Sequence, residues 1–279
     1  MFQTQLSRHN KNYMMQKIIN KLPLHSRWRL ALKTIPLVVL ILLIKFPVHY
    51  FGYEFLTLNA LFTAIISANI FLIGFLISGV LADYKESEKL PGDLSASMES
   101  MADEGLIIYK NKKSPESKAF LEKLSQFSKS LIDWFYKKEK TNNLMDKLLS
   151  FNDDFLAFET QTQANFIARL KQEQNSIRKM INRIHTIRET TFLGTGYAIA
   201  EIITTVLIIG LIFIKMNPFY ESVFFISFVS FILIYMIHFI KDLDNPFGYN
   251  IDESLVEEVS LKPVLDSQIR ITSYLNKIK

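Results

Sequence analysis

Four runs of about 20 residues, in which apolar side chains follow one another almost without interruption, break up a chain that is otherwise rich in charge. The first covers 31–51 around the core IPLVVLILLI at 35–44, the second 56–84, the third 192–215 and the fourth 218–239. Each is long enough to cross the hydrocarbon core of a bilayer as a helix. The connections within the first and last pairs, near 52–55 and 215–220, are short, so each pair predicts a helical hairpin. Between the hairpins, 83–191 shows helical rather than alternating periodicity. Phe120, Leu124, Phe127, Leu131 and Phe135 recur at three- and four-residue steps, as do Leu144, Leu148, Phe151, Phe155 and Phe158. A third stripe, Phe166, Leu170, Ile177, Met180, Ile181, Ile184 and Ile187, leads directly into the third apolar run. Ser114-Pro115-Glu116 reads as an N-cap, a first-turn proline and an acid matched to the helix dipole. Such stripes predict a helical bundle, with a partner-binding groove as the alternative. The loop-like stretches are 89–92 and 111–115.

Composition supports the membrane reading without adding a new one. Of 279 residues 49% are hydrophobic and 21% charged, so the apolar residues are concentrated in the four runs. No cysteine is present, which excludes disulfides and thiolate chemistry. The basic first 30 residues contain no short apolar core ending in a cleavage site, so no removable signal peptide is expected. The net charge of +5 lies beside the apolar runs and along helices, which favours a membrane surface over nucleic acid as partner. Of the 32 Lys and Arg, only Lys45 and Lys215 fall at the hairpin tips, whereas Lys85, Lys89, Arg183 and Arg188 flank the opposite ends. By the positive-inside rule, both termini and the middle segment are expected in the cytoplasm of a cell-membrane protein. Lys45 is expected to snorkel to the headgroups. The organisation is then an N-terminal segment 1–30, a first hairpin 31–84, a cytoplasmic helical domain 85–191, a second hairpin 192–240 and a C-terminal segment 241–279.

Enzymatic signatures are missing. His9, His25, His49, His185 and His238 make no metal-ligand spacing, and no phosphate-cradling glycine loop or nucleophile elbow occurs. Neither a metal nor a cofactor is expected. Three features remain. Ser67, Phe71, Phe75 and Ser78 share one face of the second span, which suits either tight helix packing or a pore lining with a hydrophobic constriction. Glu201 is an ionisable group within the third span, which faces either the protein interior or a water-filled path, or else the interface if the span starts late, near Gly196. Asn245-Pro246-Phe247-Gly248 is a sharp helix stop just past the fourth span.

Phe71-Leu72-Ile73-Gly74-Phe75, followed by Glu88-Lys89-Leu90-Pro91, resembles the bestrophin pattern F-x-x-G-F with E-x-L-P, and Asn245–Gly248 is similar to the NPFG after the last membrane helix of that family. The two-plus-two layout is also similar. With only two acids late in the run after NPFG, the pattern looks closer to the prokaryotic bestrophin-like proteins. The resemblance implies an all-α membrane fold with a cytoplasmic helical bundle, and a homo-oligomeric, pentameric channel passing small inorganic ions through a neck lined by the second span. It places the neck on Ser67, Phe71 and Phe75, with Gly74, Leu90 and Pro91 as motif positions. Ser67 stands where animal members carry an aliphatic residue, which implies a wider or wetter outer end. The family's acidic calcium clasp falls on Tyr249-Asn250-Ile251-Asp252-Glu253, whose two acids fall short of the 6–8 oxygens calcium takes. A membrane-anchored helical scaffold, or a transporter using Glu201, stays open as an alternative.

Overall fold

The computed structural model describes residues 23–190, 194–249 and 258–278. The basic run before residue 23 and the clasp counterpart Asp252-Glu253 lie outside them. In chain order the elements are α1 Pro23–Tyr50, β1 Leu56–Thr57, α2 Ala60–Ser87, α3 Leu90–Lys112, α4 Pro115–Phe135, α5 Thr141–Leu149, α6 Phe151–Phe158, α7 Ala164–Glu189, α8 Gly194–Phe213, β2 Ile214–Lys215, α9 Phe219–Leu243 and α10 Lys262–Ile278. Two units result: Met1–Ser78 with Leu193–Asp242, and Gly79–Phe192 with Leu243–Lys279.

The first unit holds most of the four apolar runs, the second run continuing past Ser78 into the other unit, on helices long and apolar enough to cross a membrane. Helices are the expected solution, because lipid offers the backbone no hydrogen-bond partners. At the hairpin tips Ile41, Leu211, Ile212, Ile214 and Ile226 form a core to which α2 adds Phe62 and Ile66. The two hairpin connections are tied by a short parallel pairing of Leu56 with Ile214 and Thr57 with Lys215.

Lys45 does not snorkel outward. It is fully buried, and its Nζ donates to the carbonyls of Ile212, at 3.0 Å, and Ile214, at 2.6 Å. A helix C-terminus leaves its last carbonyls without intrahelical donors, and the ammonium supplies one. Its charge is met by Glu54 at 2.5 Å, whose side chain is 5% exposed. The other Glu54 oxygen lies 3.0 Å from His49 Nδ1, and the His49 ring stacks on Phe219 at 3.9 Å. Burial raises the Glu54 pKa, but the hydrogen bonds and charges of Lys45 and His49 together outweigh it and hold the carboxyl below its ordinary 4.5. One buried knot thus joins α1, the first connection, the end of α8 and the start of α9.

The second unit is a helical bundle. All five residues of the α4 stripe are buried, as are Leu144, Leu148, Phe151, Phe155 and Phe158 on α5 and α6, and Leu170, Ile177, Ile181 and Ile184 on α7. Ser114 caps α4, its Oγ accepting from Ser117 N at 3.2 Å, with Pro115 in the first turn. Two helices fall outside the three stripes. α3 contributes Leu94, Met98, Met101 and Ile108 to the core, and α10 contributes Val264 and Ile271. Gly105 of α3 lets α4 approach closely: a Cβ there would lie 2.7 Å from the Phe120 ring. The loop-like reading of 89–92 is corrected, because Leu90 opens α3 and Pro91 sits in its first turn, where a missing N–H is harmless. The third stripe also stops short of the third span, since Thr190 leaves the helix at φ −118°, ψ 132°.

Replacing Glu54 with Gln leaves the Lys45 ammonium buried without a counter-charge. Loss of about 3 kcal/mol is expected, read as a lowered unfolding midpoint in detergent. Because the folded Glu54 carboxyl titrates below its ordinary 4.5, its contribution is complete above that pH and disappears on acidification through the depressed value. Stability of the wild-type protein should therefore fall with acid below pH 4.5 more steeply than that of Glu54→Gln.

Candidate functional site

Helix α2 has two unlike sides. Asn69, Ile73 and Leu76 are buried against the first unit, whereas Ser67, Phe71, Gly74, Phe75 and Ser78 are exposed. At about 100° per residue, Ser67, Ser78, Phe71 and Phe75 lie about 160° to 240° around the axis from Asn69. The four residues grouped by sequence spacing therefore share a face, and that face points away from the chain's own core. Phe71 is 78% and Phe75 65% exposed. Thr63, Ala64 and Ala68 are exposed as well, so small and polar residues share this side with the two rings, while the exposed aliphatic residues Ile65 and Ile70 lie to either side of it. Ser67 turns its hydroxyl back to the Thr63 carbonyl at 3.0 Å, an ordinary way for a membrane helix to satisfy a serine. A Cβ on Gly74 would meet nothing within 4 Å, so none of the described residues packs there.

Glu201 lies in the second turn of α8 and pairs with Lys241 of α9 at 2.6 Å, both side chains about half exposed. With Ala198, Ile202, Thr205 and Val206 it lines an open recess on α8. The Lys241 partner is not among the sequence-derived candidates. An antiparallel hairpin brings a residue near the start of one helix level with one near the end of the next, and that signal was available in principle. The pair belongs to α8 and α9, not to the α2 face.

The remaining motif positions serve the second unit. Leu90 and Pro91 are buried, and Pro91 accepts a hydrogen bond from Ser95 Oγ at 2.7 Å. Asn245–Gly248 closes a turn through Gly248 N and the Asn245 carbonyl at 3.1 Å, and the Pro246 carbonyl accepts from Val259 N at 3.0 Å. Phe247 is fully buried beside Phe135, with ring centroids 6.0 Å apart. Tyr249 donates its hydroxyl to the Val259 carbonyl, and burial pushes its pKa far above the ordinary phenol value, so it remains a neutral donor. Arg183, counted in the sequence only as a flanking charge, reaches Glu86 through Nε at 3.0 Å and Nη2 at 2.6 Å, with Asp83 at 3.7 Å. The Arg183 hydrogen bond lowers the Glu86 pKa below its ordinary value, against a smaller opposing effect of burial. Among the described residues no group of His, Asp and Glu could hold a metal ion.

No protein-family model matches the chain, and no curated protein matches it by sequence. Solved structures do match. A bacterial bestrophin homologue from Klebsiella pneumoniae, carrying an Asp-to-Ala substitution, aligns at 13% identity over 89% of this chain and 99% of that one, with a TM-score of 0.69. The homologue phased with zinc aligns at 14% identity over 89% and 98%, TM-score 0.67. A variant described as a membrane protein aligns at 16% identity over 88% and 97%, TM-score 0.67. The chain thus has the fold of the bacterial bestrophin homologues, an all-α, multi-pass membrane architecture. Truncating the motif residue Phe247 to Ala should cost the second unit about 3–5 kcal/mol, detectable as early loss of helical signal on heating.

Proposed function

We propose that this chain, which has a bestrophin-like fold, is one subunit of a homo-oligomeric ion channel, a pentamer by analogy with that family. Small inorganic ions pass through it passively. The pore is lined by copies of the α2 face carrying Ser67, Phe71, Phe75 and Ser78. The observation that carries this reading is the exposure of the two Phe rings on the side of α2 opposite its buried stripe, among serines, alanines and a glycine. A lipid-facing surface would be apolar throughout, without this many hydroxyl and small residues, and a surface packed within the subunit would be covered. Less than a third of each span is buried within the chain, so a ring of copies has ample surface on which to assemble.

In such a ring, Phe71 and Phe75 form a neck about one helical turn deep. A narrow apolar constriction expels water and so raises the barrier to a hydrated ion, whereas Ser67 and Ser78 on either side admit it. The orientation has both termini and the helical bundle in the cytoplasm, which the distribution of Lys and Arg supports. Glu201 stays with Lys241 as an ion pair at the inner edge of the spans, outside the conduction path.

The test is ion flux from liposomes containing the reconstituted protein. Phe71→Ala with Phe75→Ala should raise flux by about tenfold for each 1.4 kcal/mol of barrier removed. Unchanged flux in the double variant refutes the neck.

A further inference from the structure

An asparagine in the apolar interior of a membrane helix needs a reason, because its amide loses water and gains hydrogen bonds only from protein. Asn69 is buried on α2, and its Nδ2 donates to Thr204 Oγ1 of α8 at 2.9 Å, with both side chains inside the first unit. Its Oδ1 has no hydrogen-bond partner, so the amide is not there to complete a saturated network. A leucine would fill the same space without that cost.

Position supplies the reason. Asn69 lies at the centre of the buried stripe of α2, about 160° to 240° around the axis from the four neck residues. Two turns nearer the hairpin tip, Phe62 falls about 20° from Asn69 on the same side. It meets α8 at Gly210, where a Cβ would come within 2.8 Å of the Phe62 ring. The two helices run antiparallel through their hairpins, so Asn69 with Thr204 and Phe62 with Gly210 are successive contacts along one seam. One is directional and polar, the other a close approach permitted by a small residue.

We propose that Asn69 and Thr204 form a rotational pin, positioning residues that hold α2 about its axis so that Phe71 and Phe75 point at the neck. The inference rests on the channel reading above. An apolar seam resists separation but tolerates small rotations, because dispersion contacts have little directionality. A hydrogen bond between fixed atoms does not tolerate them. Loss of the pin spreads α2 over several rotational settings, the rings leave the axis for part of the time, and flux rises.

Liposome flux is measured for Asn69→Leu, Thr204→Val and Thr204→Ser, each alone and combined with Phe71→Ala and Phe75→Ala. From the strength of interhelical hydrogen bonds in membranes, the Leu and Val variants should each raise flux about threefold to tenfold. Thr204→Ser, which keeps the acceptor, should match wild type. In the background lacking both Phe rings the pin variants should add nothing further, an outcome that a general loosening of the fold does not produce. Thr204→Val is nearly isosteric and keeps the test decisive if Asn69→Leu fails to fold. The pin is overturned if Thr204→Val leaves flux at the wild-type level, if Thr204→Ser behaves like Val, or if the pin variants raise flux equally without the Phe rings. If the Phe71→Ala, Phe75→Ala protein itself conducts like wild type, the neck fails, and the pin fails with it.

Discussion

Within a bilayer a polar side chain has only the protein to bond with, and that constraint arranges the membrane unit. Lys45 meets it by donating to the Ile212 carbonyl at the end of α8 and the Ile214 carbonyl of β2, while Glu54 balances its charge. Asn69 meets it through Thr204. Ser67 meets it locally through the Thr63 carbonyl, and so needs no neighbouring helix. The distinction matters. Polar groups that must reach another helix fix where helices sit, whereas those satisfied within their own turn are free to line a surface. Asn69 and Ser67 are two residues apart on α2 and fall on opposite sides of this division.

The two faces of α2 follow from it. The inward face is tied to α8 by one hydrogen bond and one close approach at Gly210. The outward face is left with aromatic rings, small residues and hydroxyls, and its two Phe rings stay exposed among the described residues. A helix so divided is of little use to a solitary subunit. In the proposed channel, copies of the chain bring the outward faces together around an axis, where a ring of Phe is a barrier and a ring of Ser is not. The ion pair of Glu201 with Lys241, by contrast, is half exposed and joins neighbouring helices of one hairpin, the arrangement of a modest structural contact.

Much of this was legible in the sequence, and the exceptions share a cause. The four spans, the α4 cap and the stripes of α4 to α7 are carried by local period and local hydrogen bonding, which a sequence displays directly. α3 was missed because Ser95, Ala96, Ser97, Ala102 and Gly105 give weak contrast between its faces, and its packing depends on the absence of a side chain at Gly105. Lys45 read as an interfacial lysine because its partners are backbone carbonyls about 170 residues away, invisible to any residue pattern. The α2 face was found by spacing, but spacing alone does not say which side of a helix is inward. That became visible only with Thr204 opposite Asn69. Arg183 meets Glu86 across 97 residues of chain, a separation that no local pattern displays.

The absence of native cysteine makes the central claim directly measurable. Single cysteines placed in turn along α2 from residue 67 to 78, in protein reconstituted into liposomes, would be exposed to a charged, membrane-impermeant thiol reagent while ion flux is recorded. A channel lined by this face predicts modification and altered flux at positions 67, 71, 75 and 78, with protection at 69, 73 and 76. Uniform protection along the helix, or modification without regard to face, would contradict it.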